Sequence, residues 1–136
     1  MLRLSKKVEY GLVALQHLAR RGAEVGHPVS TVREIADEHE ISYDLLAKIM
    51  QDLKKDGMIC SSKGVRGGYA LILAPQQIPL TRVVAALESD TSITSCTSEA
   101  SEPCSREATC TIKGPMHDLQ NALSSVMNGV TVAQLL

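Results

Sequence analysis

Phenylalanine and tryptophan are absent from these 136 residues, and three tyrosines are the only aromatic side chains. The core therefore has to be assembled from Leu, Ile, Val, Ala and Met, and a 44% hydrophobic fraction is enough to build one. No apolar run approaches the roughly 20 residues that cross a bilayer, and no signal-peptide-like apolar stretch opens the chain. The expected location is the cytoplasm, where lasting disulfides are uncommon and grouped cysteines more often bind metal or do redox chemistry. No Ser/His/Asp grouping, phosphate-binding loop or paired-carboxylate motif is visible, which argues against an enzyme. His17, His27 and His39 are scattered, with no partner apparent in the sequence.

A large excess of one charge is also missing, since the net charge is −1. Its distribution is uneven. Residues 1–73 hold 11 Lys/Arg and 9 Asp/Glu, whereas residues 74–136 hold 3 and 6. The mildly basic first part permits nucleic-acid binding without demonstrating it. The length fits one domain, or one domain with an appendage, and the chain divides into residues 1–74 and 75–136.

Ser5 is placed to cap a helix running to about Arg21, with Val8, Leu12, Leu15 and Leu18 as its apolar stripe. Gly22, Gly26 and Pro28 break it. Thr31 followed by Glu34 fits a capping box for a helix over 32–39. A turn through Glu40 and Ile41 reaches Ser42, the expected N-cap of a third helix ending near Lys55. Leu45, Leu46, Ile49 and Leu53 of that helix face inward, and Gly57 ends it. Two short strands follow, 58–60 and 69–73, around the Gly-rich tip SSKGVRGG at 61–68. Cys60, between apolar neighbours, reads as a buried core thiol.

Two helices joined by a tight turn and followed by such a hairpin indicate a mainly α fold with a small β wing, a winged helix-turn-helix that binds double-stranded DNA. The first turns of the third helix reach base edges in a major groove, which nominates Ser42, Tyr43, Asp44 and Lys48. Lys63 and Arg66 on the tip would grip phosphates or a minor groove, with Gly64 allowing close approach.

A short helix is expected over about 80–88, then a Ser/Thr-rich loop to Gly114. This loop carries Cys96, Cys104 and Cys110, spaced Cys-x7-Cys and Cys-x5-Cys. Thiols are ordinarily packed inside, and these have almost nothing apolar around them. Zinc sites favour Cys-x2–4-Cys pairs, which are missing here. The longer intervals suit a larger object such as an iron–sulfur cluster, 2Fe–2S or 4Fe–4S. A metal-free thiol/disulfide switch, and less readily a zinc site, also stand open.

The last helix begins at Gly114-Pro115, with Pro at its first position, and ends at Gly129. Met116, Leu119, Leu123 and Val126 recur at steps of three, four and three, a two-heptad seam. With so little else in the second part to pack on, the expected partner of this seam is a second copy, giving a homodimer. Paired recognition helices about 34–36 Å apart match a palindromic operator.

The motifs MLRLSKKVEYG at 1–11, Ile41-Ser42, LKKDGMI at 53–59, GVRGGY at 64–69 and the three-cysteine loop together resemble the bacterial winged-helix iron–sulfur regulators, the IscR/NsrR-like family. The resemblance covers nearly the whole chain. It implies a homodimeric transcriptional regulator, most simply a repressor, whose cluster state sets its affinity for DNA and responds to iron supply, redox state or nitric oxide. It also implies that Cys96, Cys104 and Cys110 hold the cluster and that a non-cysteine residue completes the site. Two departures stand out. The first interval is x7 where x5 is usual in the family, and Lys113 occupies the position where one variant has a histidine ligand. A second variant uses an acidic residue of the first helix donated by the partner subunit, a position matched by Glu9; His117 is the next candidate.

Overall fold

The computed structural model describes residues 3–23, 29–99 and 102–136. Met1, Leu2, and the expected loop residues Gly26, His27 and Pro28 lie outside them. Helix α1 spans Lys6–Gly22, and the Ser5 hydroxyl accepts from the Val8 amide at 3.3 Å. Helix α2 spans Val32–His39. Its capping box is complete: the Glu34 amide donates to Thr31 Oγ1 at 3.1 Å, and the Thr31 amide donates to Glu34 Oε2 at 2.9 Å. Glu40 closes α2 with φ +54, and Ile41 tucks under the turn into α3, Tyr43–Asp56. Ser42 occupies the N-cap but makes no side-chain cap bond. Gly57, at φ +87, ends α3 in the left-handed conformation that a side chain would resist.

Strands β1 (Ile59–Ser62) and β2 (Gly68–Leu71) pair antiparallel, Ile59 opposite Leu71 and Ser62 opposite Gly68. The sequence places the first strand at 58–60, but the paired segment starts one residue later and runs on to Ser62. Ile59 is buried, whereas Cys60 is exposed, contrary to the buried core thiol expected from its neighbours. Alternation along a strand sends adjacent side chains to opposite faces, and only one face of this small hairpin meets the helices.

Ser30, just before α2, adds a third rung. Its amide donates to Tyr69 O at 2.9 Å and its carbonyl accepts from the Tyr69 amide at 2.7 Å. Gly68 lies against that rung: a Cβ there would sit 2.8 Å from the Ser30 carbonyl carbon and oxygen. Because the obstacle is backbone, Gly68→Ala is expected to separate wing from helices. A loss of about 1–3 kcal/mol, typical of overpacking, should appear in chemical denaturation.

Val8, Leu15, Leu18, Ile35, Leu46, Ile49, Met50, Leu53, Met58 and Ile59 form the buried core of the first part. Ile78, Val83, Val84, Leu87 and Val132 join the same core from beyond residue 74. Helix α4, Leu80–Leu87, packs on α1 and α3. Gly11 allows this approach, since a Cβ there would come within 2.4 Å of Leu87 Cδ1. The chain end returns to the core by pairing Pro79 with Thr131, and the Gln16 amide donates to Leu135 O.

Helix α5 spans Lys113–Gly129, so Pro115 is its third residue rather than its first. The first four amides of a helix lack intrahelical partners, so proline is tolerated at either place. No residue of α5 is buried. Of the seam residues, Met116 and Leu123 are half-buried, and Leu119 and Val126 are 42% and 68% exposed. Among the described residues, no helix is long and apolar enough to cross a membrane.

Candidate cysteine-loop site and nucleic-acid interface

The three loop cysteines line one cavity of about 620 Å³, closed on one side by Ile112, Lys113 and Met116 from the start of α5. Gln120, one further turn along that helix, pins the loop from behind. Its Oε1 accepts from the Ile93 amide at 2.8 Å and from Thr97 Oγ1 at 3.3 Å, and its Nε2 donates to Thr91 O at 3.4 Å. This fixes the arm that carries Cys96, which is half-buried with Thr94 Oγ1 at 3.2 Å from its sulfur. Cys104 and Cys110 are exposed on the outer arm. Gln120 was not singled out in the sequence because a glutamine on a polar helix face carries no signal of its own.

The ionisable groups that line the cavity are balanced, Glu102 and Glu107 against Arg106 and Lys113. Lys113 pairs with Glu107, and that hydrogen bond, followed by the Glu107 charge, holds its ammonium above the usual lysine range; Cys96 and Cys110 add smaller contributions. The donor set is soft, and soft thiolates suit iron–sulfur clusters or other thiophilic metals. Around a single zinc ion, thiolates at about 2.3 Å would lie within roughly 4 Å of one another. Among the described residues, no cysteine belongs to a group whose ligand atoms all lie within 4.8 Å of one another.

Glu9 is not at this cavity in the same protomer. It pairs with Lys6 at 2.6 Å and lines a separate cleft of about 1400 Å³ between α1, α4 and α5. His117 is exposed on α5 and is not among the residues lining the cysteine cavity.

Ser42, Tyr43, Asp44 and Lys48 all lie exposed at the start of α3. The Arg33 guanidinium of α2 sits 4.4 Å from the centre of the Tyr43 ring, a cation–π contact that orients both groups on the same surface. Arg33 was missed because its partner comes from the next helix. On the wing tip Lys63, Gly64, Val65 and Arg66 are exposed. Gly64 has φ +106, and its carbonyl accepts from the Gly67 amide at 2.9 Å to close the turn. The start of α3 and the wing tip are thus both presented to solvent.

Comparison with known proteins decides the family. A family profile, Rrf2, described as an iron-dependent transcriptional regulator, matches residues 4–136. The chain belongs to the Rrf2 family. It is 31% identical over 134 residues to the HTH-type transcriptional regulator NsrR of Shouchella clausii (strain KSM-K16), covering 98% of this chain and 88% of that one. In structure, the Rrf2 chain is similar to CymR, the global cysteine regulator of B. subtilis, with a TM-score of 0.71, 26% identity, and 99% and 96% of the two chains covered. It also shares the fold of T. potens IscR, with a TM-score of 0.74 at 22% identity over 98% and 85% of the chains. The winged-helix architecture read from the sequence is correct, and this Rrf2 protein is a transcriptional regulator with a DNA-binding fold, not an enzyme.

Proposed function

We propose that this regulator binds a palindromic operator as a homodimer, with its affinity set by an iron–sulfur cluster held by Cys96, Cys104 and Cys110. The convergence of three soft thiols on one cavity supports this reading above all. When bound, the cluster supplies a link that oxidants, nitric oxide or iron shortage break. The partner subunit's Glu9 completes the ligand set as a hard carboxylate, the bond easiest to exchange. Within one protomer Glu9 lines a different cleft from the cysteines, in keeping with donation across the dimer.

The chain's own residues do the remaining work. Gln120 ties the cysteine loop to α5, so tension in the loop reaches the helix whose exposed seam would meet the second copy. A change in the angle between protomers alters the spacing of the two α3 helices. A coupling of about 1–3 kcal/mol changes DNA affinity about 5–150-fold. Such a regulator works beside its promoter, in the bacterial cytoplasm. Protein prepared without air should be brown, with stoichiometric iron and sulfide; protein containing neither would refute the reading.

A second reading keeps the DNA-binding dimer and replaces the cluster with a reversible Cys104–Cys110 disulfide. The exposure of both thiols on one cavity, together with the likeness to the cysteine regulator CymR, favours it. It requires colourless protein with oxidant-dependent DNA binding.

In either case Ser42, Tyr43, Asp44 and Lys48 meet base edges, and Lys63, Gly64 and Arg66 approach the flanking backbone. Lys63→Ala and Arg66→Ala are each expected to weaken binding across all sequences and to reduce the slope of log affinity against log salt by about one. Fluorescence anisotropy over a salt series checks this; unchanged curves would remove the wing from the interface.

A further inference from the structure

The three loop cysteines are not the only ligand-bearing cluster in the molecule. His17 lies on α1 and His39 at the end of α2, and they read as isolated residues in the sequence. The structure corrects that reading: His17 Nδ1 is 3.1 Å from His39 Nε2 and 3.7 Å from Glu38 Oε2. One ligand atom from each of these three side chains falls within 4.8 Å of the other two. The two rings stand nearly perpendicular, at 80°, with 5.2 Å between their centres.

We propose that His17, Glu38 and His39 form a binding site for a divalent transition-metal ion of the zinc class, bridging α1 to the end of α2. Two imidazoles bound tetrahedrally at about 2.0–2.1 Å from zinc place their nitrogens about 3.3 Å apart. The 3.1 Å observed is within a small adjustment of that spacing. Two imidazoles and one carboxylate suit zinc, nickel or copper, and three protein ligands leave a fourth position for water.

The surroundings are those of a built site. The other ring nitrogen of His17, Nε2, is 3.1 Å from Ser30 Oγ. His17 and Ser30 are 5% and 1% exposed, so this bond sets the ring's orientation from the protein interior. Outer partners of this kind orient metal-bound histidines and tune their affinity. Burial, above all, holds the His17 imidazole below its ordinary pKa; Glu38 pulls it up, while His39 and Arg21 push it down. The net effect favours the neutral ring that a metal requires. His39 is half-buried, and the Glu38 side chain is 54% exposed, which leaves a route from solvent.

Its position gives the site a use. Glu38 and His39 immediately precede the turn into the recognition helix, and Ser30 pairs through its backbone with Tyr69 of the wing. An ion there would tie α1, the helix-turn-helix and, through Ser30, the wing into one rigid reading head. This site is independent of the cysteine cavity and of what that cavity holds.

The test uses the full chain with Cys96, Cys104, Cys110 and Cys60 replaced by serine, so that thiols do not compete, and Zn(II) as the probe. Isothermal titration should give one Zn(II) per chain, and the His17 and His39 imidazole NMR signals should shift together as it binds. His39→Ala and Glu38→Gln should each weaken binding at least tenfold, and zinc should raise the melting midpoint of the parent but not of His39→Ala. Absence of binding, binding that leaves both imidazole signals unmoved, or undiminished affinity in His39→Ala would each overturn the proposal. The imidazole signals are read in the parent protein, so they decide the matter even if a variant fails to fold.

Discussion

Cys110→Ser is expected to reduce the iron and sulfide of anaerobically prepared protein from stoichiometric amounts to background, and to abolish its visible absorption. Serine offers a hard, protonated oxygen where a soft thiolate is needed, and only two thiols would remain around the cavity. The change should cost the fold little. Cys110 is exposed, beyond the reach of the core, and surface substitutions of this kind shift stability by about 0.5 kcal/mol or less. A large loss of iron with an unmoved melting curve thus separates ligation from packing. DNA affinity should then change about 5–150-fold relative to the loaded protein, the sign reporting which form binds the operator. Retained iron in the variant would remove Cys110 from the site. If the wild type holds no iron and Cys110→Ser abolishes only its response to peroxide, the disulfide reading takes its place.

The second large effect should come from the surface of α5. Leu119→Asp combined with Val126→Asp is expected to convert the proposed dimer to a monomer by sedimentation or light scattering. Neither side chain belongs to the core, since they are 42% and 68% exposed, so the isolated chain should remain folded. Burying two carboxylates in an apolar seam is strongly unfavourable, and dimerisation would require it. The consequence for DNA is larger than the loss of an interface alone. Two linked half-site contacts gain about 10²–10⁴-fold over one through effective concentration, and the monomer forfeits that factor. A double variant that stays dimeric and binds normally would show that α5 does not form the interface.

Locally encoded elements were legible. The Thr31–Glu34 box, the Ser5 cap and Gly57 mark ends of α1, α2 and α3 through contacts only three or four residues long, and the structure has helix ends there. Ser42 illustrates the limit, because residue type predicts the N-cap position but not that its hydroxyl leaves the cap bond unmade. Cys60 shows another. It alternates with the buried Ile59, and which face of the hairpin meets the helices decides which of the two is inside.

The sequence alone determined the element order, the Gly-rich wing and the gathering of three cysteines in a loop with nothing to bury them, because these follow from short-range spacing and residue chemistry. Only the tertiary structure decided that Gln120 holds that loop, that Arg33 stacks on Tyr43, and that Glu9 lies on a different cleft from the cysteines in one protomer. It alone joined His17 to His39 across 22 positions. Such pairings arise where core packing sets one helix against another, and no residue advertises in advance the distant neighbour that packing will give it.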